Sequence, residues 1–541
     1  MPRFARLTPV DSGALLLITV ATLYIGTTNG HYSYDDAFIT YRMADNFSRG
    51  LGFVYNPGEW HLGSTAAFYG LLIGSLRWLL SAISPNGAPP IPALGGLLSA
   101  LSLLATGWML YGMGRNARAP LCGLVAGLFY VTNPMIFVTF GGEMTFQIAL
   151  ITGAFFAYQQ GARPIAAALA SFAILTRPDG IQAAFVLLVY DIASRWKSAK
   201  SWKELVPWRE LLTAAIILTP FVGAAWYAYG SPLPSMMAAK MAQRDSGLWG
   251  TYGRGLIDWV LLFLWNDKAP NLGFAPVNPP LVWLWALIGV AGIWRYRVFL
   301  PLVAWSVVFV LAYTAMRVPF YHWYAAPAAF GISILAACGL CTVADLVEKL
   351  WQQRVSSPSP GSAAATAVDP KVAAAIGTTA LNRPALIVSA AVLLAVAAAA
   401  SKPLLALPRT SQLNQTVRLY MEVGEWLEVN TLPDASVGYY EIGYIGFYGH
   451  RRMIDTLGLI DPAVSPAVAR RDFTWALRER RPDFILEKRG AGLNGFLGEQ
   501  WFKDEYRSRA IMSVRGPSTE GVIIHERVTR AAAAPVPPAA R

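Results

Sequence analysis

Apolar runs close to membrane length recur through the first 400 residues, and they restrict the fold more than any other feature of the chain. A bilayer offers backbone amides no hydrogen-bond partner, so a chain that crosses it repeatedly does so as helices. About 20 apolar residues suffice for one crossing. Eleven segments meet that pattern: Ser12–Thr28, Pro92–Met113, Pro120–Val138, Thr145–Gln160, Pro164–Leu175, Ile181–Ala193, Leu211–Tyr229, Pro280–Ile293, Leu300–Ala315, Tyr321–Val347 and Pro384–Ala400. Only 14% of the residues are charged, where soluble domains carry about 25%, which argues against a purely cytosolic enzyme. The 19 Trp, 23 Tyr and 25 Phe argue equally against disorder. Cys122, Cys338 and Cys341 all lie in apolar runs, so neither a disulfide framework nor a cysteine zinc site is expected.

Charge then divides the chain. Residues 1–410 hold 16 Asp and Glu, and residues 411–541 hold the other 16. The last quarter therefore has the acid density of a water-soluble domain. The net charge of +12 comes with no basic stripe interleaved with aromatics, so no nucleic-acid partner is expected. Basic residues beside apolar spans read instead as topology signals. With Ala66–Ile83 kept as a shallow helix on the outer side, Arg115, Arg118, Arg163, Arg195, Lys197, Arg295, Lys349 and Arg354 all fall on the inner side. The expected domains are a membrane module over 1–350 with its first outer loop at 30–91, an inner linker over 351–383, and a last crossing over 384–401. An outer α/β domain over 411–530 and a disordered tail over 531–541 complete the chain. Arg3 and Arg6 precede the first span without a small-residue cleavage site after it, so that span reads as a retained anchor.

On this topology the scarce acids of the membrane module concentrate at its outer rim. Asp35 and Asp36 follow the first span in HYSYDDAFITYR. Adjacent carboxylates at a membrane surface repel one another and resist desolvation, so a fold that keeps them supplies a cation or a task. One reading is a general base acting on a hydroxyl; the other is helix capping before Ala37. Glu143 and Asp179 sit at outer ends of spans, beside Arg177 and facing Lys240, Arg244, Arg317 and His322. Cations there suit a phosphate, although Arg317 and His322 also fit an aromatic belt with Tyr321, Trp323 and Tyr324. The five histidines are scattered without ligand spacing, and nucleotide-loop, zincin and serine-hydrolase motifs are absent. No metal site is expected from the spacing. A divalent cation, Mg²⁺ or Mn²⁺, would have to use carboxylates such as Asp35 and Asp36.

The run DDAFITYRMADNFSRGLGFVYNPGE (35–59) resembles the first outer loop of bacterial GT-C membrane glycosyltransferases. GGEMTF (141–146), LTRPDG (175–180), YGSPLPSMMAAK (229–240), FYHWYAAP (320–327) and VGYYEIGYIGFYGHRRMIDTLGLIDP (437–462) follow in the order that group shows. The likeness is to terminal arabinofuranosyltransferases of cell walls and, more distantly, to protein O-mannosyltransferases. Asp179 stands where relatives often have Glu, and His61-Leu62-Gly63-Ser64-Thr65 departs from their E-G/A-x-T, differences that bear on the sugar. The resemblance implies a GT-C fold, a polyprenyl-phosphate sugar donor and inverting transfer to a hydroxyl of a glycan, lipid or protein. It also implies Asp35 as base, Asp36 orienting it or binding substrate, Lys240 on the donor phosphate and Arg317 as a second cation. The competing reading is a lipid-linked-sugar flippase or transporter, which broken helices and repeat symmetry at mid-membrane would mark; a non-catalytic assembly factor is a third.

For the last domain, helical periodicity over Asn414–Glu428 and Phe473–Arg480 and strands at Ser436–Tyr440, Phe484–Glu487, Ala510–Val514 and Val522–His525 predict a small α/β unit. Asp455 and Asp461 flank its MIDTLGLIDP turn, as turn caps or as acceptor contacts.

Overall fold

A computed structural model of the protein describes residues 8–29, 34–84, 87–265, 280–356, 383–410, 415–514 and 521–528. Its membrane part is helical throughout: α1 (Pro9–Asn29), α2 (Asp35–Ser48), α3 (Ala67–Ile83), α4 (Ile91–Asn116), α5 (Pro120–Val131), α6 (Pro134–Phe137), α7 (Glu143–Gln159) and α8 (Arg163–Thr176). There follow α9 (Ile181–Arg195), α10 (Trp208–Tyr229), α11 (Ser235–Ser246), α12 (Tyr252–Trp265), α13 (Pro280–Gly292), α14 (Leu300–Ala315), α15 (Ala326–Ser356) and α16 (Arg383–Thr410). All eleven expected crossings are thus helical. Pro9–Thr28, Ile91–Asn116, Trp208–Tyr229, Arg297–Ala315 and His322–Arg354 are long and apolar enough to span a bilayer, which makes this a multi-pass membrane protein. Of the other six, α5, α7, α8, α9 and α13 are shorter, and α16 carries the apolar stretch Ala385–Ser401.

Two boundaries differ from expectation. The Pro120–Val138 segment breaks after Val131, because the Asn133 side chain accepts the Met135 amide at 2.9 Å and Pro134 has no amide to continue the ladder. Helix α15 runs on to Ser356, into the stretch expected to be linker; the rest of that linker and the 531–541 tail lie outside the described residues.

Helices in a membrane gain little from burying apolar surface against one another, so close backbone packing has to hold them. α13 and α15 show how. A Cβ on Gly289 would stand 1.8 Å from the Leu335 carbonyl oxygen, and one on Gly339 would stand 1.9 Å from that of Trp285. α15 is mostly enclosed, while α10 is almost wholly exposed and faces lipid.

Ionic contacts collect at both ends of the bundle, a correction to the expectation that the acids gather at one rim. At one end Asp11 pairs with Arg115 at 2.9 Å, Asp191 with Arg163 at 3.6 Å and with Arg195, and Asp345 with Arg295 at 2.5 Å. Asp36, Glu143, Arg177, Asp179 and Lys240 occupy the other. Helix α3 does not carry the chain from one end to the other. Its Arg77 donates to the Pro89 carbonyl at 2.6 Å and its Tyr69 to that of Gly95 at 3.5 Å, so both halves of α3 lie against the start of α4.

The C-terminal domain contains α17 (Gln415–Asn430), β1 (Ser436–Tyr439), α18 (Gly443–Gly449), β2 (Arg452–Asp455), α19 (Ser465–Ala469), α20 (Trp475–Arg480), β3 (Phe484–Lys488), α21 (Gln500–Glu505), β4 (Tyr506–Ser513) and β5 (Gly521–Arg527). The sheet order is β2-β1-β3-β5-β4. β1 runs parallel to β2 and β3, whereas β5 is antiparallel to β3 and β4, with a bulge at Ser508/Ala510. The four expected strands are present. β2 and α18 were not foreseen: RMID is too short to show a period, and the glycines of GYIGFYG disfavour a helix. Val423, Val437, Phe484 and Ile524 of this domain share one core with Phe38, Ile39 and Tyr55 of the first outer loop. The two segments therefore fold against each other and close over the end of the bundle that holds Asp36.

Candidate active site

The first turn of α2 presents two carboxylates about 100° apart around its axis, and they meet different surroundings. Asp35 turns toward the C-terminal domain, where its two oxygens accept the amides of Gly443 at 3.0 Å and Tyr444 at 2.9 Å. Burial, with the Glu441 carboxylate nearby, pushes the Asp35 pKa up to about 7. Asp36 turns toward the membrane module and meets Lys240 on α11 at 3.4 Å. Burial opposes the Lys240 charge, but Asp36 and the rings of Tyr321 and Tyr324 outweigh it, and the ammonium is held well into its protonated form. Its Nζ lies 3.7 Å from the centroid of the Tyr321 ring, within cation–π range.

Beside this pair stands a buried cluster. Arg177 reaches Glu143 at 2.5 Å through Nη1 and Asp179 at 2.8 Å through Nη2. The Asp179 carboxylate also accepts from Gln147 at 2.6 Å and from the Tyr313 hydroxyl. Burial would raise the Asp179 pKa, but the Arg177 guanidinium outweighs it and lowers it. Glu143 accepts the Tyr34 hydroxyl at 3.3 Å, and Tyr34 stacks on Trp323 at 4.6 Å. Two carboxylates thus claim one guanidinium, so Arg177 serves to hold acids rather than to offer a free cation.

A cavity of about 490 Å³ opens beside the cluster, lined by Arg177, Asp179, Lys240 and Arg244 at its polar end and by Met237, Met241, Ala312 and Met316 elsewhere. A narrow cleft adjoins it and contains Asp36, Glu143, Tyr34, Thr40 and Ser64. Thr65, Arg177 and Tyr324 line both spaces. Cavity and cleft therefore meet where Lys240 faces Asp36. One space is mostly apolar with cations at its polar end, the other is small and acidic.

The structure brings Asp36, Glu143, Arg177, Asp179 and Lys240 together. It does not bring the remaining three expected residues to the cavity. Asp35 faces the C-terminal domain. Arg317 ends α14 with φ 52°, lies exposed and lines neither space. His322 sits in an aromatic cluster, stacked on Trp259 at 5.8 Å. Arg244 instead supplies the second cation at the cavity, and among the described residues it pairs with exposed Asp245. Gln147, Tyr313 and Tyr34 were missed. Gln147 had a signal, a polar side chain one turn past Glu143 in an apolar span; the two tyrosines, uncharged and among many aromatics, gave none. Asp455 and Asp461 are turn caps: Asp455 accepts the amides of Leu457 at 2.8 Å and Ile460 at 2.9 Å, and Asp461 that of Ala463 at 3.0 Å.

This donor set does not suit Mg²⁺ or Mn²⁺, which take several oxygen ligands each. The Asp35 oxygens are taken by amides, Asp36 by Lys240, and Glu143 and Asp179 by Arg177. Among the described residues no group of three or more His, Cys, Asp or Glu could hold a metal.

Comparison with known proteins agrees with this architecture. Residues 409–526 match a family model described as a domain of unknown function (DUF8728), which covers the C-terminal domain. No curated protein matches the chain. The structure of ArnT from Cupriavidus metallidurans bound to undecaprenyl phosphate superposes with a TM-score of 0.55 at 14% identity, over 95% of this chain and 98% of that one. Its apo structure gives 0.55 and 14% over 96% and 98%. Arabinosyltransferase EmbB from Mycobacterium smegmatis reaches 0.41 at 12% identity over 77% of this chain and 42% of that one, too loose a likeness to argue from. At 14% identity the likeness to ArnT shows a shared fold over nearly the whole length of both chains, the GT-C fold expected from the sequence.

Proposed function

We propose that the protein is a membrane glycosyltransferase that moves a sugar from a polyprenyl-phosphate donor to an acceptor hydroxyl, with inversion, at the outer face of the cytoplasmic membrane. Cell-envelope glycan synthesis is the setting that suits such a reaction. The observation that carries the reading is the Lys240–Asp36 contact at the junction of a cationic, methionine-lined cavity and an acidic cleft. The likeness to ArnT, solved with undecaprenyl phosphate, supports a lipid phosphate as the occupant of the cavity.

The chemistry follows from the charges. A donor phosphate entering the cavity takes Lys240, with Arg244 as a second cation, and so releases Asp36. The acceptor hydroxyl attacks the anomeric carbon from the cleft while the bond from that carbon to the phosphate oxygen breaks. Asp36 takes the hydroxyl proton, a contribution of about 10²–10⁴-fold for a well-placed base. Lys240 stabilises the charge left on the phosphate, so no general acid is required. Asp36 replaces Asp35 as the proposed base because only Asp36 lines the cleft. Arg177 holds Glu143 and Asp179 in place.

The test is transfer by the reconstituted protein from a panel of polyprenyl-phosphate sugars to glycan acceptors. Wild type and Glu59→Gln are expected to form product, and Asp36→Asn to form none; EDTA is expected to leave turnover unchanged. Transbilayer movement of the donor without transfer would favour a flippase instead.

A further inference from the structure

The transferase reading leaves the C-terminal domain without a task, yet its backbone reaches the carboxylate pair directly. Helix α18 begins against α2 so closely that a Cβ on Gly443 would stand 1.9 Å from the Asp35 carbonyl oxygen and 2.6 Å from its Cγ. One turn on, a Cβ on Gly446 would stand 1.8 Å from the Tyr55 hydroxyl. Only glycine fits at these two positions. The Tyr55 hydroxyl donates to the Ile442 carbonyl at 2.5 Å. Asn56 pairs with β2 as a strand would, donating to the Met453 carbonyl at 2.9 Å and accepting its amide at 3.0 Å.

Arg42, one helical stretch beyond Asp35, strengthens the case. It is buried, and its guanidinium donates to the carbonyls of Tyr55 at 3.0 Å, Gly446 at 2.8 Å and Arg451 at 2.6 Å. Two of those acceptors belong to the C-terminal domain. Undocking would strip a buried cation of acceptors, which is costly. General docking could be achieved by apolar contact alone; here Asp35 and Arg42 of α2, the helix that carries Asp36, make polar contacts with the C-terminal domain, backed by Tyr55 and Asn56 of the same loop.

We infer that the C-terminal domain is a positioning element of the active site: the Gly443 and Tyr444 amides clasp Asp35, and through the shared turn of α2 they aim Asp36 into the cleft. The inference rests on the transferase reading, with Asp35 as a positioning residue rather than the base. A displacement of about 1 Å at a reacting group can cost about a hundredfold in rate, so loss of the clasp is visible in turnover without any change at the cavity.

The experiment compares wild type, Gly443→Ala, Asp35→Asn, their double mutant and Gly492→Ala, a control whose added methyl meets open space. Hydrogen exchange over residues 34–48 and binding of undecaprenyl phosphate are measured alongside transfer. Gly443→Ala and Asp35→Asn are each expected to speed exchange in α2 at least about tenfold and to lower kcat about ten- to hundredfold. Undecaprenyl phosphate binding does not weaken, because Lys240 and Arg244 are untouched and a displaced Asp36 competes less for Lys240. The double mutant is expected to be no slower than the worse single mutant, since both break one contact. Unchanged α2 exchange in the single mutants, or rate losses that multiply in the double mutant, would overturn the proposal. Asp35→Asn adds no atoms, so it decides the matter if Gly443→Ala fails to assemble. Faster α2 exchange in Gly443→Ala and Asp35→Asn, with no sugar transfer by wild type, would sink the transferase reading alone and leave the clasp standing.

Discussion

Lys240 has one charge and two claims upon it. In the structure Asp36 holds it at 3.4 Å, with only 11% of its side chain exposed. A lipid phosphate would compete for the same ammonium. Lys240→Arg preserves charge but changes shape, and a planar fork is not equivalent to a point charge. Its expected outcome is a raised donor KM with kcat less affected, while Lys240→Ala loses both, as steady-state kinetics would show. The neighbouring cluster behaves differently, because its cation is already shared between two acids. Arg177→Met leaves Glu143 and Asp179 buried without their partner and is expected to destabilise the protein by about 3–5 kcal/mol. A drop in the thermal midpoint of unfolding in detergent would reveal it; an unchanged midpoint would mean that the cluster is wetter than its burial indicates.

At the scale of elements, close approach rather than hydrophobicity decides which helices pair. Gly289→Val on α13 would drive a side chain into the Leu335 carbonyl of α15, and overpacking of this kind typically costs about 1–3 kcal/mol. Lower recovery of folded protein is expected, which size-exclusion profiles would show. Much of this level was legible in the sequence. Each of the eleven apolar runs is helical, one of them in two pieces, and the charge pattern read Ala66–Ile83 as a shallow outer helix, in keeping with α3 lying against the start of α4. Boundaries that depend on side-chain caps were not legible: nothing in the hydropathy of 120–138 separates α5 from α6, because the break comes from Asn133 and Pro134. The candidate site divides in the same way. Asp36, Glu143, Asp179 and Lys240 stood out because charge is rare in apolar surroundings. Which of the two adjacent aspartates faces the cleft depended on α18, a helix of glycines and aromatics with no helical signature of its own.

For the whole molecule, two buried carboxylates, Asp35 at the contact between the membrane module and the C-terminal domain and Asp455 within that domain, give stability a pH dependence. Burial raises Asp35 to about 7 and Asp455 to about 6, above the ordinary carboxylate range near 3.9. Between about pH 4 and 7 the folded protein therefore binds more protons than the unfolded chain at these sites. Their contribution to stability is complete below that range and declines as pH rises through it. Thermal stability at pH 5 is expected to exceed that at pH 8, and Asp35→Asn with Asp455→Asn is expected to flatten the difference.

On the proposed reading a lipid phosphate occupies the cavity, and Asp36 is its rival for Lys240. Affinity for undecaprenyl phosphate, measured on wild type, Lys240→Ala and Asp36→Asn by native mass spectrometry or calorimetry, tests that claim most directly. Lys240→Ala is expected to bind at least about tenfold more weakly, a loss of about 1.4 kcal/mol, and Asp36→Asn more tightly than wild type. Equal binding by wild type and Lys240→Ala would contradict the account.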